Sequence, residues 1–267
     1  MINAIVSLGV LGAAFGGLLA FAAQKFAVEA DPRVEAIKGA LPGANCGACG
    51  KPGCAGLAEA IAKGEAPVDA CPVGGAAVGA KVGEIMGIKV DPNVERRVAK
   101  VHCQGGCFDR SEYHGPLDCK AAVLVGGGHK SCSYACVGFG NCARICPFGA
   151  ITMSEQGLPV IDESKCTGCT KCVAECPKAV LSMAPVSKAV HVACVSKDRG
   201  PLVRKTECKP GCIACGICEK NCPHDAIHVV NNLAVIDYDK CVNCGVCVAK
   251  CPTKAIVMEE HKVPKPQ

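Results

Sequence analysis

The chain has 267 residues, 25 of them cysteine, no tryptophan and only 3% aromatic residues. Cysteine in repeated clusters along a chain of this length excludes a small disulfide-stapled secreted scaffold. It points instead to metal held by thiolates in a reducing compartment, with metal-binding energy replacing part of an apolar core. The formal net charge of +5 comes without a Lys/Arg run or an aromatic platform. That excludes a nucleic-acid partner and leaves either a solubilising surface or a landing site for an acidic protein.

Residues 2–23, INAIVSLGVLGAAFGGLLAFAA, hold no charge and match one helical crossing of a bilayer. No Lys or Arg precedes them, so the positive region of a cleaved signal is missing. Lys25, Arg33 and Lys38 follow. The expectation is an uncleaved anchor over 1–28 in the cytoplasmic membrane, with the bulk of the chain on the cytoplasmic side. Gly9, Gly12, Gly16 and Gly17 give either a small-residue face for another membrane helix or plain flexible composition.

A four-cysteine domain is expected over 29–90. LPGANCGACGKPGCAGLAEAIAKGEAPVDACPVGG (41–75) sets Cys46, Cys49 and Cys54 on a glycine-rich loop. A short helix then ends at Gly64, and Cys71-Pro72 closes the unit. Residues 91–130 read as a connecting segment, with a linker around VGEIMGIKVDPNVERR (82–97).

From there the chain repeats. CPFGAITM (146–153), CPKAVLSM (176–183), CPHDAIHV (222–229) and CPTKAIVM (251–258) are four versions of one ending, each a Cys-Pro followed by a short β-like run. They form two pairs of about 55 residues. GLPVIDESK and NLAVIDYDK are the connectors inside the pairs.

CVNCGVCVAKCP (241–252) has the spacing C-x2-C-x2-C-x3-C-P. That is the bacterial [4Fe–4S] pattern, in which the fourth cysteine ligates the other cluster of a pair. Three thiolates at this spacing reach three corners of a cubane from one curling loop. Zinc, the alternative, favours two C-x2-C knuckles a dozen or more residues apart.

The crossover rule predicts Cys212, Cys215, Cys218 and Cys251 for one cluster, and Cys241, Cys244, Cys247 and Cys222 for its partner. In the earlier pair it predicts Cys166, Cys169, Cys172 and Cys146. The other loop, CSYACVGFGNCARICP, has irregular spacing, and Cys132, Cys136, Cys142 and Cys176 are its natural set. Cys46, Cys49, Cys54 and Cys71 make a fifth site. All twenty are expected as iron ligands of five [4Fe–4S] clusters.

Cys103, Cys107, Cys119, Cys194 and Cys208 remain. They are either free thiols, a disulfide or zinc site, or ligands of a sixth cluster drawing on Cys103, Cys107, Cys119 and one of the other two. VHC (101–103) and VAC (192–194) each precede a pair, and Cys208 stands before Cys212 as Cys132 stands before Cys136.

No G-x-G-x-x-G follows a strand and no G-x4-G-K-[ST] occurs. His114, His129, His191 and His224 read as lone surface residues. No nucleophile–base pair stands out, so the chain is expected to carry electrons and no bond-making catalytic site. Residues 162–220 hold ten Lys/Arg (165, 171, 178, 188, 197, 199, 204, 205, 209, 220) against six acids (162, 163, 175, 198, 207, 219). This is an expected docking surface for an acidic partner.

The apolar N-terminus, NCGACGKPGC…CPVGG and the pairs opening with CVGFGNCARICPFGAI together resemble the B subunit of the Rnf complex, in a long polyferredoxin-like version. The resemblance implies an α+β protein: an N-terminal transmembrane helix, a small four-Cys iron–sulfur domain, and two tandem bacterial-type 2[4Fe–4S] ferredoxin-like domains over 131–190 and 191–267. It implies the electron-transfer subunit of a membrane-bound ferredoxin:NAD+ oxidoreductase coupled to Na+ or H+ transport. Soluble ferredoxin is the implied donor, and the other membrane and soluble subunits are the implied partners. The alternative is a membrane-tethered polyferredoxin that serves another redox enzyme or reduces an iron–sulfur regulator.

Overall fold

The computed structural model describes residues 2–25, 31–90, 95–206 and 208–259, without the side chains of 2–8, 23 and 24. Helix α1 (Ile2–Lys25) forms as the uncharged run predicts. Its described apolar side chains stand bare: Val10, Phe15, Leu18, Leu19 and Phe21 are each more than 60% exposed. Nothing lies within 4 Å of where a Cβ would sit on Gly9, Gly12, Gly16 or Gly17. The anchor expected over 2–23 falls partly outside the described side chains. Among the described residues no helix is long and apolar enough to cross a membrane.

A small helical unit follows. Asp31 caps α2 (Pro32–Ala40) from an extended conformation, its carboxylate accepting the Arg33 N–H at 2.9 Å, with Pro32 in the first turn. Helix α3 (Gly53–Ala62) occupies the stretch the sequence reserves for it. Helix α4 (Gly75–Met86) runs into the stretch expected as a linker and buries Val82 before Gly87 ends it at φ 68°. The reason is local periodicity: Val78, Val82, Ile85 and Met86 share the face that meets α2 and α3. Ile37, Leu57, Ala58, Ile61 and Val82, all at most 1% exposed, close this core around Cys71.

The rest of the chain adds α5 (Cys119–Leu124), α6 (Asn141–Ile145), α7 (Lys171–Glu175), α8 (Gly200–Lys205), α9 (Ile217–Lys220) and α10 (Val246–Lys250). Its strands are β1 (Arg97–Val101), β2 (Ile151–Met153), β3 (Pro159–Ile161), β4 (Leu181–Pro185), β5 (Val190–Val192), β6 (Ile227–Val230), β7 (Leu233–Ile236) and β8 (Ile256–Met258). They pair as four two-stranded antiparallel ribbons: β1 with β4, β2 with β3, β5 with β8 and β6 with β7. The first four strands and the last four therefore repeat one plan. An inner ribbon sits between two cysteine loops, and an outer ribbon joins the first strand of the unit to the last.

This pairing corrects the reading of 91–130 as a connector. Arg97 faces Pro185 and Val101 faces Leu181 across the outer ribbon of the first unit, and α5 brings Cys119 inward. β5 opens the second unit one residue before the expected boundary, Val190 facing Met258.

Lys100 on β1 is 3% exposed and pairs with the carboxylates of Glu163 and Glu259, tying the two units together. A buried cation removed from two carboxylates leaves them uncompensated. Both acids keep some solvent, so Lys100→Met is expected to cost about 2–3 kcal/mol, below the range for a fully buried pair. Denaturant titration of the cluster-loaded protein is the measurement. An unchanged midpoint overturns it.

Candidate metal centres

Each ferredoxin loop curls because a left-handed residue precedes a one-turn helix. Gly140 (φ 74°), Thr170 (φ 60°), Gly216 (φ 71°) and Gly245 (φ 74°) occupy that position before α6, α7, α9 and α10. The Cys-Pro ending of each loop then feeds a strand.

The thiols converge in sets around spaces of about 300–360 Å³ that are partly open to solvent. Cys222, Cys241, Cys244 and Cys247 line one; Cys212, Cys215, Cys218 and Cys251 line a second. Cys146, Cys166, Cys169 and Cys172 line a third. In all three the structure brings together the four cysteines that the spacing groups.

The fourth space differs from expectation. It is lined by Cys119, Cys136, Cys142 and Cys176, and Cys132 faces elsewhere. The cause is a substitution inside the loop. Cys136 and Cys142 are separated by five residues, as are Cys212 and Cys218, but Phe139 occupies the place of Cys215. Phe139 turns instead to Tyr113 and His129, with ring centroids 5.3 and 5.4 Å away.

Cys119 supplies the missing thiol from α5. Its N–H donates to Asn141 Oδ1 at 2.9 Å, while Asn141 Nδ2 donates to Asp118 at 2.7 Å and to Glu175 at 3.2 Å. Asp118 also caps α5 by accepting the N–H groups of Lys120 and Ala121. The signal available in sequence was the equal loop length with one cysteine missing.

In the N-terminal unit, Cys49, Cys54 and Cys71 pack against the Ile37–Leu57–Val82 core. Asn45, itself at φ 45°, accepts the Cys54 N–H at 2.8 Å and so folds the 46–54 loop back onto α3. Burial pushes the Cys71 thiol up, and the neighbouring Cys54 and Cys46 add to it.

The donor sets suit a four-cornered cluster. Apart from the thiols the linings are mostly small and apolar, with few polar side chains, and backbone N–H groups already point at sulfur: Ala150 to Cys146 at 3.4 Å, Ala226 to Cys222 at 3.3 Å and Ala99 to Cys166 at 3.4 Å. Gly168 permits the last of these. At φ +74° it lets β1 approach so closely that a Cβ would stand 2.7 Å from Arg97 O. Burial pushes Cys136 and Cys172 up to about 12 and Cys218 up to about 11, with neighbouring thiols adding to it. Such thiols are inert as nucleophiles and lose their protons to a metal.

Two histidines depart from the surface reading. His191 is 1% exposed, and burial pushes it down to about 4, with Nδ1 2.8 Å from the Tyr238 hydroxyl. His129 is half-buried against Tyr113 and Phe139. Both are packing residues. His114 and His224 are exposed as expected.

Residues 41–73 match the family model for an Fe-S cluster, and residues 132–180 and 211–255 match the 4Fe-4S dicluster domain. The chain is 50% identical over 247 residues to the B subunit of the Na(+)-translocating ferredoxin:NAD(+) oxidoreductase complex of Acetobacterium woodii, covering 90% of this chain and 74% of that one. It is 46% identical to the B subunit of the ion-translocating oxidoreductase complex of Methanosarcina acetivorans, covering 96% and 97%. It is 47% identical to the B subunit of the proton-translocating ferredoxin:NAD(+) oxidoreductase complex of Clostridium ljungdahlii, covering 89% and 84%.

Proposed function

The chain belongs to the family of B subunits of ion-translocating ferredoxin:NAD+ oxidoreductase complexes, and from that premise we propose that it is the electron-relay subunit of such a complex. The observation that carries the proposal is the set of four spaces, each lined by four cysteines, in three of them drawn from two crossing loops and in the fourth completed by Cys119 of α5. With the 46–71 unit they provide five [4Fe–4S] sites. The ligands are Cys46, Cys49, Cys54 and Cys71; Cys119, Cys136, Cys142 and Cys176; Cys146, Cys166, Cys169 and Cys172; Cys212, Cys215, Cys218 and Cys251; and Cys222, Cys241, Cys244 and Cys247.

A bound [4Fe–4S] cluster supplies a one-electron carrier whose potential follows from exposure, nearby charge and hydrogen bonds to sulfur. The residues of this chain set those terms. Cys215 and Cys244 are exposed, so the second unit offers two edges to a partner, while Cys169 and Cys172 are buried in the first. The N–H donors to Cys146, Cys166 and Cys222 stabilise thiolate charge. In this reading NAD+ chemistry and ion transport are assigned to other subunits of the complex. Iron and acid-labile sulfide analysis with electron paramagnetic resonance tests the reading. Zinc in place of iron sinks it.

Soluble ferredoxin is the proposed donor, and the landing surface is narrower than the sequence count. Lys178 is occupied by Gly127 O and Ser133 O, Lys188 by Cys241 O, and Lys165 by Asp162. Lys197, Arg199, Arg204, Lys205 and Lys209 lie on and around α8, outside the buried core. That helix lies on the Cys212–Cys215 loop: a Cβ on Gly200 would stand 2.8 Å from Ile213 O. Arg204→Glu with Lys205→Glu is expected to raise KM for reduced ferredoxin about tenfold, with a weaker salt dependence than the unaltered chain. Delivery rates indifferent to both the substitutions and ionic strength overturn the surface.

Helix α1, apolar along its described side chains and with its large ones exposed, is the proposed membrane anchor. Such a helix needs lipid or another apolar helix to cover it. The bulk of the chain then faces the cytoplasm. Purification from membranes should bring integral-membrane subunits with it; a chain that copurifies with a soluble enzyme alone overturns the assignment.

A further inference from the structure

Four of the cysteines left over from the regular loops, together with Cys132, meet in one place. Cys103, Cys107, Cys132, Cys194 and Cys208 line a space of about 330 Å³ at the seam between the two ferredoxin units. It equals the other cluster spaces in size. Cys103, Cys107, Cys194 and Cys208 lie outside the stretches that match the dicluster family.

The internal repeat explains how the thiols arrive. β1 and β5 end in equivalent bonds, His102 N–H to Val180 O at 2.7 Å and Ala193 N–H to Ala255 O at 2.8 Å. Cys103 and Cys194 follow those residues directly, just past the ends of β1 and β5. Cys132 and Cys208 each stand four residues before the first cysteine of equivalent loops, Cys136 and Cys212. Two equivalent pairs of thiols, one pair from each unit, therefore face one another, and Cys107 joins them. The seam is fixed by His102 Nδ1 at 2.6 Å from Val192 O, by Gln104 Nε2 donating to Lys254 O at 2.9 Å, and by Ser131 Oγ donating to Thr206 O at 3.0 Å.

The space adjoins a cluster site on each side. Cys194 Sγ accepts the N–H of Cys212, a residue of the 212/215/218/251 set, at 3.4 Å. This is the same N–H to sulfur contact that Cys146 and Cys222 receive. On the other side Cys103 and Cys136 pack against the same core of the first unit. We propose that the space binds a sixth [4Fe–4S] cluster through four of its five thiols, and that this cluster bridges the two ferredoxin units.

The proposal rests on the relay reading above and extends it with an order. The sites run from 146/166/169/172 to 119/136/142/176, then to the five-thiol site, then to 212/215/218/251 and 222/241/244/247. Without the middle member the chain holds two separate pairs. With it, a single relay spans both.

The test uses the full chain reconstituted anaerobically with iron and sulfide. About 24 iron atoms per chain are expected for six clusters, against about 20 for five. Cys132→Ser with Cys208→Ser is expected to remove about four iron atoms and leave the other five signals in place. In freeze-quench experiments with reduced ferredoxin, one ferredoxin unit of that variant should fill while the other lags at least tenfold.

The five single Cys→Ser variants keep the question open to refutation should the double variant fail to fold. Loss of about four irons is expected in all but the one that carries the spare thiol. About 20 irons in the unaltered chain, undiminished by any of the five substitutions, overturns the sixth site and leaves the relay intact. So does zinc or a disulfide at these residues. Absence of iron–sulfur signals altogether overturns the relay reading itself.

Discussion

Stripped of iron and sulfide under reducing conditions, residues 95–259 are expected to lose their cooperative melting transition, while 32–86 keep protected amides. Strands of three to five residues and helices of four to six make up the larger region, and neither is stable alone. Its cores are small and partly made of the ligands. In the second unit Cys212, Cys218 and Cys247 sit among the nine buried core residues, beside Val190, Val192, Ile227 and Ile256. In the first unit Cys142 and Cys172 do the same beside Val180 and Leu181.

With domain stabilities of about 5–15 kcal/mol and structural metal sites contributing on the order of 10 kcal/mol, losing several clusters exceeds what burial supplies. The 32–86 unit differs because Ile37, Leu57, Ile61 and Val82 pack three helices directly. Hydrogen exchange before and after chelation reads both halves in one experiment. Protection across β1–β8 that survives complete iron removal overturns this account.

Replacing Cys119 by serine is expected to remove one cluster, about four iron atoms, from the first ferredoxin unit. Adding Phe139→Cys should restore it. The rescue is the informative arm, because position 139 matches Cys215 in a loop of equal length and equal cap geometry. It returns the ligand to the regular C-x2-C-x2-C loop.

The rescued protein should be less stable than the unaltered one by about 3 kcal/mol, the cost of deleting a packed aromatic. Phe139 stacks on His129 and Tyr113, and that contact is lost. Asn141→Ala should weaken the original site and spare the rescued one, since Asn141 holds Cys119 and not position 139. Cys132→Ser should leave this cluster in place. If Cys132→Ser removes the 136/142/176 cluster and Cys119→Ser does not, the assignment from spacing is right and the one from tertiary placement is wrong.

These two cases divide what was legible in the amino-acid order. A regular loop is a local object. Three thiols, a left-handed residue and a one-turn helix fall within a dozen residues, so spacing alone groups Cys212, Cys215, Cys218 and the equivalents in the two other regular loops. The crossover of the fourth cysteine is equally readable, because the Cys-Pro ending is fixed to the loop it leaves. The α3 helix and the repeat of two units were likewise available from periodicity.

What spacing lacks is any measure of which distant segments meet. Cys119 reaches its site because β1 pairs with β4 and α5 docks through Asp118 and Asn141, contacts separated by 23 to 86 residues. The stretch 91–130 looked like a connector since its strand is completed only by β4. Cys103, Cys107, Cys194 and Cys208 kept several readings for the same reason: their convergence needs both units folded and placed side by side. Local chemistry thus determined that the chain carries iron–sulfur domains, and it grouped the thiols that the structure brings together in three of its cysteine-lined spaces. Long-range pairing decided which thiols line the irregular space and that the seam between the units is itself lined with thiols.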